Sequence, residues 1–208
     1  MPLPRFLIPL LAIAAILSAC TAETGPGDEA EPIEREGPED CLLMVWSGQD
    51  KPRIDFDRAH DAVEGGAISC ATGTSASEFD AAITALREAA RSGNKAHVLE
   101  QLGLPLLYID ATGERREIRD RREVEEIFDE VFDQPVLDAL QRIDLRSMSV
   151  DPDNGAYFEL GALWLVVDKD GGRPRLVTVN RQALDEAAEA AREQAARNQG
   201  EPVPFDKR

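Results

Sequence analysis

The sequence predicts an α+β fold, with helices packed on a curved antiparallel sheet and a small N-terminal extension. Three observations carry that prediction. Apolar residues recur at helical spacing over 77–90 and again over 120–143. A strand-like stretch turning at Thr112-Gly113 lies between them, and three strand-like segments separated by turn residues run to Asn180. Helices and strands segregated in this order stack in layers instead of alternating as parallel βαβ units.

Residues 1–19 read as an export leader. Arg5 is a minimal basic region, Phe6 to Ile16 is an apolar run interrupted only by Pro9, and Leu17-Ser18-Ala19 precedes Cys20. The run is too short for a permanent membrane-spanning helix. The Leu17-Ser18-Ala19-Cys20 ending resembles the bacterial lipobox, whose cysteine is diacylated and becomes the mature N-terminus. That resemblance implies lipidation of Cys20, a membrane as partner through that lipid, and a place on the periplasmic side of the cell envelope. Thr21 stands where an Asp would signal inner-membrane retention, so the resemblance favours the outer membrane. An ordinary cleaved leader with an incidental cysteine is the alternative.

With Cys20 lipidated, Cys41 and Cys70 are the two remaining thiols. An even pair in an oxidising compartment is expected to form a disulfide, closing a loop of about thirty residues for roughly 3–4 kcal/mol. Neither has a second Cys or a His at ligand spacing, so no metal is expected. Asp and Glu number 40 against 23 Lys and Arg, a net charge of −17. Such a surface repels phosphate backbones, and no basic patch interleaves with aromatics, which argues against a nucleic-acid partner.

Residues 20–40 are rich in Glu, Pro and Gly and nearly free of apolar side chains, which predicts a disordered acidic tether. Fully extended it reaches at most about 70 Å. In the extension 41–76, Leu42 to Trp46 is expected as a buried strand and Ile68 to Cys70 as another. Phe56 to Val63 is expected to make one or two helical turns ending at Gly65-Gly66. Ser77 is the expected N-cap of a helix whose Phe79, Ala82, Ile83, Leu86 and Ala90 share a face, stopped by Gly93. Asn94 caps a short helix carrying Val98, Leu99 and Leu102.

Leu104 to Ala111 and Arg116 to Arg119 form the expected hairpin around Thr112-Gly113. Asp120 with Glu123 starts a helix with a Val124, Ile127, Phe128, Val131, Phe132 stripe, and Pro135 opens the next, ending near Ile143. Strands are then expected over Leu145 to Val150, Tyr157 to Val167 and Arg175 to Asn180. Their turns are Asp151 to Gly155 and Asp168 to Gly172. On the long strand, Phe158, Leu160, Ala162, Trp164 and Val166 are expected to share one apolar face. Residues 181–208 predict a charged helix and tail with Leu184 as the only large apolar residue of the helix.

From Ser77 to Asn180 the chain resembles the NTF2-like (cystatin-like) superfamily. The resemblance rests on the leading helix SEFDAAITALREAARSGN, on VLEQLGLPLLYID entering the first strand, on the helix REVEEIFDEVF, and on GALWLVV and LVTVN in the closing strands. It implies a cone-shaped sheet wrapped on helices, often with a pocket at the open end, in enzymes and non-enzymes alike.

Within that frame Tyr108, Asp110 and Trp164 are the candidate ligand-pocket residues: a phenol, a carboxylate and an aromatic wall. The competing reading makes Tyr108 and Trp164 amphipathic core residues and Asp110 the start of the turn. Only His60 and His97 could act as bases of the imidazole type, and no Gly-x-Ser-x-Gly elbow is present. Asp168-Lys169-Asp170-Gly171 lacks the Glu of a calcium loop. No catalytic residue, cofactor or metal ligand is assigned. The expectation is a non-enzymatic, lipid-anchored envelope protein binding a small apolar ligand or an envelope protein. The alternatives are a pocket enzyme of isomerase, dehydratase or hydrolase type using Tyr108 and Asp110, and an acidic inhibitor of a cationic envelope hydrolase.

Overall fold

A computed structural model describes residues 37–167 and 172–198, all within one unit, Glu36–Arg208. The expected leader, Cys20, most of the expected tether, the expected turn at 168–171 and the expected tail at 199–208 lie outside the described residues. The protein is α+β: helices cover one face of a six-stranded sheet.

The N-terminal extension holds helices α1 (Pro38–Ser47), α2 (Ile54–His60) and α3 (Ile68–Thr72), with a two-residue hairpin of β1 (Ala62–Val63) and β2 (Gly66–Ala67). Two expected strands are therefore helices. Leu42 to Trp46 sits in α1, because Pro38 starts a helix well and the Asp40 carboxylate accepts the Gly37 N–H at 3.0 Å. Only Leu42 and Trp46, four residues apart, are buried there, while Leu43 and Met44 face solvent. A five-residue apolar run fits a helix segment as readily as a strand, and the tertiary partners decide. Ile68 to Cys70 is the first turn of α3, whose second residue, Ser69, is held by Asp61.

Helix α4 (Ala76–Ser92) is capped by Ser75, not Ser77, and Gly93 ends it in the left-handed region. Asn94 caps α5 (Lys95–Leu99). The hairpin of β3 (Leu102–Ile109) and β4 (Arg115–Ile118) follows. The next helical stretch is broken at Ile127 into α6 (Arg121–Glu126) and α7 (Phe128–Val131). Asp120 caps the former, and Asp133 caps α8 (Gln134–Arg142). A 3-10 turn takes Leu145–Ser147, so the strand expected from Leu145 begins only at β5 (Ser149–Asp151).

The expected long strand is two: β6 (Gly155–Phe158) and β7 (Leu163–Val166), separated by a 3-10 turn at Glu159–Gly161. Glu159 and Leu160 have φ of 49° and 56°, and Gly161 has φ 91°. This interruption shifts the alternation by one residue. Phe158 points to the core, as do Leu163 and Leu165, whereas Trp164 and Val166 turn to the other face and Leu160 is 78% exposed. The single apolar face expected from Phe158 to Val166 does not exist.

Strand β8 (Arg175–Asn180) leads directly into α9 (Arg181–Asn198). The sheet order is β4-β3-β8-β7-β6-β5. Because β3 runs parallel to β8, the sheet is mixed, not wholly antiparallel, and it is not strongly curled. One sheet face supplies Leu106, Tyr108, Ile118, Phe158, Leu163, Leu165, Leu176 and Val179 to a core completed by α4 to α8. Leu184 of α9 joins this core, and Arg181 Nε donates to the Asp133 carboxylate at 2.8 Å.

Candidate functional site

Tyr108 and Trp164 lie on opposite sides of the sheet. Tyr108 pairs with Val179, which pairs with Leu163, and Leu163 pairs with Phe158; the whole row is buried under the helices. Its hydroxyl donates to the Glu130 carbonyl at 3.2 Å. Burial raises the phenol pKa above its ordinary value, the Glu130, Asp110 and Asp133 carboxylates push it further up, and Arg116 opposes them. A buried, protonated phenol with its proton committed to a backbone carbonyl is a packing group.

Asp110 closes the β3–β4 turn. One carboxylate oxygen accepts from the Thr112 hydroxyl (2.7 Å), the Thr112 N–H (2.8 Å) and the Glu114 N–H (3.0 Å). The Thr112 hydroxyl bond is the main reason its pKa falls below the usual carboxylate value, with the turn N–H groups adding to it against a partial desolvation. Proton transfer between Tyr108 and Asp110 through a shared substrate is not a geometry that these bonds prepare. His97 is exposed, and His60 stacks on Phe56 while its Nδ1 donates to the Phe56 carbonyl at 2.8 Å.

The other sheet face, away from the helices, carries a different constellation. Thr178 pairs with both Leu107 and Trp164, and Trp164 pairs with Tyr157, so these four side chains form one row. An open groove of about 400 Å³ runs along that face. Leu107, Ile109, Trp164, Val166 and Val177 form its apolar lining, and Asn154, Thr178 and Asn180 supply polar groups. The indole of Trp164 is fixed on both sides: its N–H donates to the Gly161 carbonyl at 3.0 Å, and its ring meets the Tyr157 ring at 4.8 Å. The Glu159–Gly161 turn thus does two things. It aims Trp164 outward and holds Leu160 exposed where β6 passes into β7.

Beyond Tyr157 lies a second cleft, of about 330 Å³, lined by Glu64, Ser147, Ser149, Tyr157, Phe158, Glu159 and Leu160. The Ser149 hydroxyl donates to Glu64 at 3.2 Å. Glu64 reaches this place because the β1–β2 turn is docked on β5: the Val150 N–H donates to the Glu64 carbonyl at 2.8 Å. Gly65, at φ 93°, permits the approach, since a Cβ there would collide with the Val150 carbonyl.

The extension is held together by a disulfide and polar bonds, and one of its carboxylates ties it to α4. Cys41 in α1 and Cys70 in α3 form a disulfide with their Cα atoms 5.1 Å apart. Asp57, wholly buried, accepts from the Trp46 indole N–H and from the Ser77 N–H at the start of α4, each at 2.8 Å. Asp61 accepts from the N–H and hydroxyl of Ser69, also at 2.8 Å each. Every oxygen of these two carboxylates has a structural partner, which makes them anchors for helix starts and not reactive groups. Among the described residues, no three His, Cys, Asp or Glu side chains converge as a metal site.

Of the three candidate pocket residues, Trp164 lines the groove, and the fold joins it to Tyr157 and Thr178 and separates it from Tyr108 and Asp110. The signal that marks the change is Gly161. A glycine within an apolar alternation points to a bulge or break, and here it inverts the face of everything after it. No family model matches the sequence, and neither a curated protein nor a solved structure gives a significant match.

Proposed function

We propose that this is a non-enzymatic, lipid-anchored envelope protein that binds an extended segment of a protein partner on the outer face of its six-stranded sheet. The single observation that carries the reading is Leu160. A large apolar side chain at 78% exposure, held in a backbone conformation that L-residues adopt at a cost, lines the cleft beyond Tyr157, and the next residue, Gly161, lines the apolar groove. Exposed strain of this kind persists where it serves recognition. A protein segment is favoured over a small apolar ligand because the groove is open, spans β3, β8 and β7, and adjoins the second cleft at the Tyr157–Trp164 ring pair.

The Cys20 lipobox supports the anchor and, with it, the periplasmic location, on the outer membrane. The NTF2-like resemblance belongs to the same proposal: leading helices, hairpin, second helical pair and strand meander follow one another in the order it implies. Supporting the non-enzymatic reading are the commitments of Tyr108 to Glu130 and of Asp110 to its turn.

A photoreactive residue placed at Val177, in the groove, tests the proposal in intact envelopes. It should give a discrete cross-linked product that is lost with Leu160→Asp. The same probe at Arg142, on the helical side, should give none. Equal products from both positions, or none from Val177, would count against the reading.

A further inference from the structure

Resting on the sheet-face reading above, we infer that the bound segment is basic: a Lys or Arg enters the cleft between Glu64 and Glu159 while a neighbouring apolar side chain lies on Trp164. Among the described residues, the cleft is lined by two carboxylates and no cationic side chain, and neither Glu64 nor Glu159 forms an ion pair. No charged side chain among the described residues lines the adjoining groove. A partner therefore meets one acidic compartment and one apolar compartment, side by side.

The two compartments abut at the Tyr157–Trp164 ring pair, with centroids 4.8 Å apart. An ammonium or guanidinium in the cleft lies against the Tyr157 ring, where its charge gains from the π face as well as from the carboxylates. In an extended segment, side chains two residues apart on one face are about 6.5–7 Å apart. An extended segment crossing the Tyr157–Trp164 ring pair would set a basic residue in the cleft and an apolar residue in the groove, in the pattern basic-x-apolar. The long-range field agrees with the local one. With 40 acidic against 23 basic residues, the chain attracts basic segments and repels acidic ones before contact.

Selection of a displayed library of random short peptides against the purified full chain in detergent tests this directly. Recovered peptides should be enriched in the basic-x-apolar pattern and elute with salt. Their affinity should fall about tenfold or more for the Glu64→Gln/Glu159→Gln double variant. Both substitutions keep side-chain size and lie outside the core, so circular dichroism should be unchanged.

If the peptides lack basic residues, or bind the double variant equally well, yet lose binding with Leu160→Asp and Trp164→Ala, the basic-segment inference is overturned while the sheet-face reading stands. Should the peptides bind all three variants as they bind the parent, both fail. Recovery of no peptide at all also overturns the inference. Basic peptides that respond to salt but not to any of these positions would mark attraction to the acidic exterior alone, and overturn it too.

Discussion

Tyr108 and Trp164 stand on neighbouring rows of one sheet yet face opposite worlds, the former under the helices and the latter in an open groove. The relationship follows from strand register. Tyr108 pairs with Val179, and the next residue back on each strand, Leu107 and Thr178, points the other way toward Trp164. Stability is thus carried on one side of the sheet and recognition is proposed for the other.

Tyr108→Phe should cost about 0.5–1.5 kcal/mol, the net worth of the hydrogen bond to Glu130. The pH response has a definite sign. Because the folded phenol pKa is raised above 10.0, the contribution of this group is fully present below pH 10 and is lost as pH climbs through the higher folded value. An alkaline absorbance titration should show one tyrosine ionising late, and Tyr108→Phe should remove that late step.

Asp110 behaves in the opposite sense. Its folded pKa is depressed, so its contribution is present above the unfolded value near 3.8 and fades as pH falls through the folded value. Denaturant midpoints measured from neutral to acid pH should fall less steeply for Asp110→Asn than for the parent, with the difference confined to pH below about 4.

Leu160→Asn should raise stability by about 0.5–1 kcal/mol, since Asn tolerates the left-handed region better than Leu and little buried area is lost. The same substitution should weaken partner binding. A gain in thermal midpoint accompanied by loss of the Val177 cross-link is the expected pair of results; a loss of stability would mean that the Leu160 side chain serves packing.

Removing the disulfide with Cys41→Ser/Cys70→Ser should cost about 2–4 kcal/mol by freeing a long loop in the unfolded chain. Asp57→Ala should cost a similar or larger amount, about 3 kcal/mol, because it strands the buried Trp46 and Ser77 donors. Denaturant unfolding monitored by tryptophan fluorescence measures both.

Much of the helical layer is legible in the sequence. Asn94, Asp120 and Pro135 occupy helix starts, and Gly93 ends α4, because caps and stops are written in local chemistry. The extension is not legible in the same way. Leu42 to Trp46 and Ile68 to Cys70 are short apolar runs without a telling period, and their helical state depends on Asp57, Asp61 and the disulfide, all contacts distant in sequence. Nor is the face of Trp164. Alternation counted from Phe158 predicts the core, and only the turn at Glu159–Gly161 reverses it. The parallel pairing of β3 with β8 is likewise a long-range event that no local pattern announces.

Hydrogen exchange on the full chain, alone and in its own purified envelope, tests the central claim most directly. Occupancy of the outer face predicts added protection confined to β3, β6, β7 and β8, abolished by Leu160→Asp and indifferent to Tyr108→Phe. Protection appearing on α4 or α8 instead, or no change along β6 to β8, would contradict recognition through this face.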